Sequence, residues 1–448
     1  ETDENSPSQQ PRTDGSSSKK RVCYYYDTSI SYVDYGKEHP MVPHRVAMTH
    51  DLVKSYGLLD DMDLLRLAPA TKEDLEVAHS KGYLDPLRRL TPADYKRHAA
   101  VRGTAAQHDL GLVRDRHIKG CWINDNPVIE GLWDYCLRYA GGSLAAARAL
   151  ASGGYQIAIN WSGGMHHACK GKASGFCYVN DIVVAIRALL ARFQRVLYVD
   201  IDAHHGDGVE SAFLEETRVM TVSFHQHDGK DFFPTTGDVG DVGKGGAMYH
   251  TLNPSCCKCG ADSLAGDRIT GLELTVRGHA KCVRLLRSYD VPLLLLGGGG
   301  YTINHVASCW CYETAVAIGK EISDDIPQHG YQRYYQSQGY KLHYYHETHS
   351  GNGNGNAKMK KMDTIKEKVM AHLDELSKLM AAPSTRRDEE PPRPVNIDGD
   401  ALVDRSPRVE DPMERLHRRC GEMDLAEFLT DLGRKQPKRK KVDLELKC

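Results

Sequence analysis

Asp200, Asp202 and His204 recur at alternate positions in RVLYVDIDAHHGDGVE, residues 195–210, where an apolar run ends in acids, histidines and glycines. In an extended chain, positions i, i+2 and i+4 share one face, so two of these side chains can grip one cation. A strand whose polar end merely caps the next helix is the alternative. The three acids and two histidines among the eight residues 200–207 favour a metal site at a strand end. Open α/β sheets bind their ligands at such strand ends.

A second polar island, SGGMHHACKGKASGFCYVND at 162–181, sets His166 beside His167 between glycines and continues through Gly175, Phe176 and Cys177. Adjacent histidines at a strand end suit acid/base work, because imidazole changes charge near neutral pH. A third, KCGADSLAGDR at 258–268, is rich in acids, and a fourth, VPLLLLGGGGYT at 291–302, runs a buried strand into four glycines and Tyr301. Four glycines let backbone approach a ligand closely. They do not form a phosphate loop, which needs a G-x-x-x-x-G-K-[ST] pattern. Tyr301 is the likelier chemical group there. Phe232, Phe233 and Pro234 sit in a Gly-rich loop as pocket walls or loop anchors, and Asp125 is placed to line a pocket rim.

The elements that must hold these islands follow from pattern. Val196 to Ile201 is mostly β-branched or aromatic, which suits a buried parallel strand; VCYYYD, YQIAINW, VMTVSF and VPLLLL read as further strands. A helix is expected near 48–56, helical character over 58–100, a surface loop over 101–126, an Ala-rich helix between glycine stops over 141–154 and another helix over 182–192. Residues 1–20 hold no large apolar side chain and read as a disordered arm. After the flexible SGNGNGN linker, Met362, Ile365, Val369, Leu373, Leu376 and Met380 fall on one face of a helix near 359–381, a stripe for the domain or a partner. Residues 386–412 read as disordered, and KQPKRKK at 435–441 as a nuclear import signal or a solvated tail.

The 448 residues can bury a full core, and a net charge of -2 marks the chain as neither a nucleic-acid nor a membrane binder overall. Thirteen scattered cysteines, an odd number, point to a reducing compartment without disulfides. Cys256, Cys257 and Cys259 lack the second pair that a structural zinc ribbon needs. No apolar run is long enough to span a bilayer.

Taken together, NWSGGMHHA, SGFCYVND, VDIDAHHGDGV, CGADSLAGDR and LGGGGYT resemble, in order and across roughly residues 20–320, the class I zinc-dependent histone deacetylases. The resemblance implies an α/β, arginase/deacetylase-like single domain over 21–345, mainly parallel sheet with helices on both faces. It implies hydrolysis of acetyl-lysine in histones, with Asp202, His204 and Asp262 as Zn2+ ligands. His167, oriented by Asp207, accepts the proton of the attacking water; His166, paired with Asp200, hydrogen-bonds that water; Tyr301 donates to the oxyanion. Gly175, Phe176 and Phe233 line the lysine tunnel, and Asp125 holds substrate backbone at the rim. K+ is implied as a structural ion at Asp200 and Ser223. Implied partners are acetylated histone tails and corepressor subunits in the nucleus, with no sequence-specific DNA binding and no membrane.

The chain departs from that family in one large respect. It passes from YHTLN directly to PSCCKCGADS, a loss near 253–258 on the order of 30 residues, about one crossover unit. The missing strand should carry Asp262, so a displaced third ligand and a gap in the sheet are expected. The loop before Asp125 is longer than the family's, and Val42, Ala47 and Asn304 replace usual basic residues, which argues against inositol phosphate binding. Two functions follow: an active deacetylase, or a catalytically impaired homologue acting as a corepressor-binding module.

Overall fold

Short apolar runs bounded by polar or glycine residues become the strands, and the longer amphipathic stretches between them become helices. The computed structural model describes residues 20–93, 110–112, 115–118, 121–254, 261–344 and 355–381. The arm 1–19, Cys256, Cys257 and Cys259, the stretch 386–412 and the basic run 435–441 lie outside the described residues. In chain order the elements are β1 (Val22–Tyr25), α1 (Arg45–Ser55), β2 (Asp63–Leu65), α2 (Lys72–Leu75), α3 (Lys81–Arg89), β3 (Asp115–Ile118), β4 (Cys121–Asn124), α4 (Leu132–Ala151) and β5 (Ile157–Asn160). There follow α5 (Asp181–Leu189), β6 (Val196–Asp200), α6 (Asp207–Phe213), β7 (Val219–Ser223), β8 (Thr251–Leu252), α7 (Val276–Ser288), β9 (Leu293–Leu296), α8 (Ile303–Ile318) and α9 (Gly355–Ala381).

All pairings in the two main sheets are parallel, in the orders β2-β1-β5-β9 and β6-β7-β8. Because strand side chains alternate between faces, Cys23, Tyr25 and Ala158 join Leu144 and Ala147 of α4 on one side. Val22, Tyr24, Ile157 and Ile159 join Leu52 of α1 and Val306 of α8 on the other. Helices thus cover both faces, which is the condition under which all-parallel sheet is stable.

Three local expectations are corrected. The 58–100 stretch is broken by strand β2, and the 101–126 stretch contains the antiparallel hairpin β3–β4 rather than only loop. The Ala-rich helix starts at Leu132, nine residues before Gly141, since α4 runs through Gly141 and Gly142. These glycines serve close packing: a Cβ on Gly141 would sit 2.1 Å from the Ala68 carbonyl oxygen, and one on Gly142 2.7 Å from Asn160 Nδ2.

The expected gap is present as a slot. Among the described residues β6 pairs only with β7 and β9 only with β5, and no ladder joins the two sheets. The backbone of β6 and β9 instead borders a cavity of about 270 Å³, closed by Ile182 and Ile186 of α5 on one face and by Val283 of α7 and Trp310 of α8 on the other. All four leucines of β9 line it, and three of them are only partly buried. Away from the slot, Ile365, Val369 and Leu376 of α9 are buried against Met220 of β7 and Leu252 of β8, so the helix stripe packs on the domain itself.

Candidate active site

Strand β6 ends at Asp200, so the shared extended face does not reach as far as His204. The chain turns locally instead: the His204 backbone N–H donates to Asp202 Oδ1 at 2.9 Å and that of Asp202 to Asp200 Oδ1 at 2.9 Å. The turn divides the three residues between two tasks. Asp200 accepts from His166 Nδ1 at 2.7 Å, while Asp202 and His204 meet Asp262.

Asp262 sits on the short 3-10 turn Ala261–Ser263 rather than on a strand, and it is not displaced. Its carboxylate, His204 Nδ1 and the Asp202 carboxylate place one donor atom each within 4.8 Å of one another, all buried. His204 Nδ1 lies 2.8 Å from Asp262 Oδ2 and 3.1 Å from Asp202 Oδ1. Asp262 is held by the Ala203 backbone N–H, which donates to Oδ1 at 2.8 Å. Burial and the Asp202 charge push its carboxyl up to about 7. Burial opposes charge on His204, but Asp262 and Asp202 outweigh it and bring that ring up to about 10.

Two acids and an imidazole converging in a buried space need a cation or a proton between them. Three donors, two carboxylate and one imidazole, fit Zn2+. Gly299 closes the other side, where its N–H donates to Asp202 Oδ2 at 2.7 Å.

The histidine pair lies alongside, with ring centroids 3.9 Å apart. His167 Nδ1 meets Asp207 Oδ1 at 2.7 Å, at the start of α6. The two rings are driven apart electrostatically. Burial opposes charge on His166, but Asp200 and Asp202 outweigh it and bring it up to about 9. Burial and the His166 charge bring His167 down to about 4. Neighbouring groups pushed in opposite directions mark a division between acid and base roles.

Tyr301 is buried, its backbone N–H donating to Asp267 Oδ2 at 2.7 Å. Burial and the nearby Asp262 and Asp202 charges push the phenol well up, which keeps it a neutral O–H donor. Phe176 stands edge-on to the Tyr301 ring at 5.6 Å and Phe233 edge-on to His167 at 4.8 Å. Gly175 has φ +53°, and a Cβ there would lie 2.4 Å from His167 Cδ2, so only glycine lets the ring approach. Asp125 is buried and accepts from the Gly175 N–H at 3.1 Å.

Asp181 and Tyr198 contribute without a role assigned to them from the sequence, whereas Phe232 takes one of the two roles offered for it there, as a pocket wall. Asp181 fixes the histidine loop by accepting from the Gly164 and Met165 N–H groups. Tyr198 donates to Asp200 Oδ2 at 2.5 Å, and Phe232 stacks on His204 at 5.1 Å. Only Tyr198 was open to discovery from spacing, being two residues before Asp200 on the same strand face.

Comparison with known proteins agrees with this geometry. The histone deacetylase domain matches residues 39–257 and 254–317, two stretches that meet where the shortened segment lies. Histone deacetylase 1 of Oryza sativa subsp. japonica is 44% identical over 456 residues, covering 95% of this chain and 82% of the relative. Histone deacetylase 19 of Arabidopsis thaliana is 44% identical over 404 residues, covering 84% and 76%. Histone deacetylase HDAC1 of Drosophila melanogaster is 44% identical over 358 residues, covering 73% and 65%. With its domain match, its relatives and its converging acids and histidines all pointing one way, the chain belongs to the histone deacetylase family.

Proposed function

We propose that this chain hydrolyses the acetyl amide of N6-acetyl-lysine in histone tails, which compacts chromatin and represses transcription. The observation that carries this reading is the convergence of Asp202, His204 and Asp262 next to two oppositely tuned histidines and a neutral buried tyrosine. Asp202, His204 and Asp262 would hold zinc, which when bound polarises the acetyl carbonyl and makes water acidic enough to attack near neutral pH.

Around that centre the protein's own groups move the protons. Asp207 holds the Nδ1–H of His167, leaving Nε2 to take the proton of the attacking water. His166, anchored on Asp200, donates to the same water and stabilises the charge that develops. Tyr301 donates its phenol proton in a hydrogen bond to the oxyanion. His167 then returns its proton to the departing lysine amine, which balances the step. Phe176 and Phe233 wall the lysine methylenes and exclude water, Gly175 admits the His167 ring, and Asp125 supports the rim through Gly175. A structural K+ beside Asp200 and Ser223 would steady the β6 end.

Residues 21–345 form the catalytic unit in this reading, α9 packs back onto it, and the segment beyond α9 serves partners and import. Corepressor subunits are the proposed partners and the nucleus the proposed location. Among the described residues no helix is long and apolar enough to cross a membrane. The slot between β6 and β9 favours the second reading, a scaffold with impaired catalysis, because it leaves the strand that supports the ligands unbraced on one side.

One experiment separates the two. The purified full chain is expected to carry stoichiometric zinc by elemental analysis and to deacetylate an acetyl-lysine histone peptide, with activity lost to a chelator and restored by zinc. A folded protein with no zinc and no turnover leaves the scaffold. Import is tested on the tail: replacing Lys438, Arg439, Lys440 and Lys441 by Ala is expected to abolish nuclear accumulation of the tail fused to an inert carrier. Unchanged accumulation removes the run's import role.

A further inference from the structure

A second group of metal-ligating side chains lies outside the catalytic site. His279 on α7 and Cys309 and Glu313 on α8 each bring one donor atom within 4.8 Å of the others, and all three are buried. Cys309 and Glu313 are four residues apart, so consecutive turns of one helix present them on one face. His279 meets them from the neighbouring helix, its Nδ1 against Glu313 Oε1. The three residue types are the ones that bind zinc with nitrogen, sulfur and oxygen.

A plain imidazolium–carboxylate pair is the simpler reading of His279 and Glu313. Two observations go beyond it. His279 Nε2 is buried with no hydrogen-bond partner among the described residues. His279 and Glu313 also line the slot between β6 and β9, so the group opens on a cavity with room for a water or a further ligand beside it. One thiolate, one carboxylate and one neutral imidazole around a divalent cation sum to zero charge, which a site this deep requires.

We propose that His279, Cys309 and Glu313 form a second, structural metal site for zinc or a similar thiophilic divalent cation, clamping α7 to α8 beneath the slot. The clamp ties two helices that form one wall of the cavity, where the sheet itself supplies no brace. Binding exchanges the protons of the Cys309 thiol and the His279 ring for the cation and involves no redox change.

Cobalt(II) gives a readout that turnover does not. The catalytic donors Asp202, His204 and Asp262 include no sulfur, so a sulfur-to-cobalt charge-transfer band in the near ultraviolet reports on a cysteine ligand alone. The full chain, stripped with chelator and reloaded with cobalt(II), is expected to take up a second equivalent that carries this band. Cys309→Ser should remove the band and that equivalent while the protein stays folded by circular dichroism. Asp262→Asn should lose the other equivalent and keep the band, which separates this site from the catalytic one. His279→Gln, a milder change of shape, should weaken the band in the same way. Uptake without any sulfur band, or a band that survives Cys309→Ser because other cysteines supply it, overturns the proposal.

Discussion

Tyr301→Phe is expected to lower kcat by roughly 10²- to 10³-fold, the usual effect of losing one oxyanion donor, while zinc content stays unchanged. The phenol is buried and held neutral, so its hydroxyl is available as a donor and its loss leaves the ring packing against Phe176 in place. Asp262→Asn is expected to behave differently, losing zinc and activity together. The amide keeps the size of the carboxylate but not its charge, in a space where His204 Nδ1 lies 2.8 Å from Asp262 Oδ2 and 3.1 Å from Asp202 Oδ1. Elemental analysis and steady-state kinetics on both variants check the pair. Zinc loss in Tyr301→Phe, or full zinc in Asp262→Asn, contradicts the assigned roles.

A second large effect is expected at Gly299. A Cβ there would lie 2.6 Å from Asp202 Oδ2 and 2.6 Å from Asp262 Oδ2, inside contact distance of two of the proposed zinc ligands at once. Neither carboxylate can step aside without breaking its own backbone hydrogen bond, from Gly299 to Asp202 or from Ala203 to Asp262. Gly299→Ala should therefore weaken zinc binding by about 10- to 100-fold or more, the range seen when groups supporting metal ligands are disturbed. Gly171→Ala is the matched control, since its Cβ would meet nothing within 4 Å. Zinc affinity measured by competition with a chelator decides the matter; equal affinities for the two variants would show that the site yields to the methyl group.

How much of this was legible in the sequence depends on the reach of each interaction. The parallel α/β layout was readable because β-branched runs ending in glycine and acids repeat along the chain, and local pattern is enough to fix them. Asp202 and His204 were readable as a pair for the same reason. The sharing of tasks between Asp200 and its neighbours was not, because it depends on β6 stopping at Asp200 and on a turn made by backbone N–H groups. Gly141 and Gly142 look like helix stops in one dimension, yet they lie inside α4, where Ala68 and Asn160 come too close for any side chain. The expected displacement of Asp262 failed in an instructive way. A lost strand need not carry its last residue away when that residue is gripped by Ala203 and its carbonyl by Thr270.

The slot beside β6 and β9 bears on more than catalysis. Leu293–Leu296 is a run of four leucines on a strand that, among the described residues, pairs on one side only, and most of it is incompletely covered. Apolar strand edges of this kind template association with another chain, and natural proteins blunt them with charge, proline or a covering element. None of those devices occurs within β9 itself. The quantity that governs this protein in a cell is therefore the competition between folding and aggregation: its abundance should depend on chaperone capacity and on proteolysis well before it depends on how fast the site turns over.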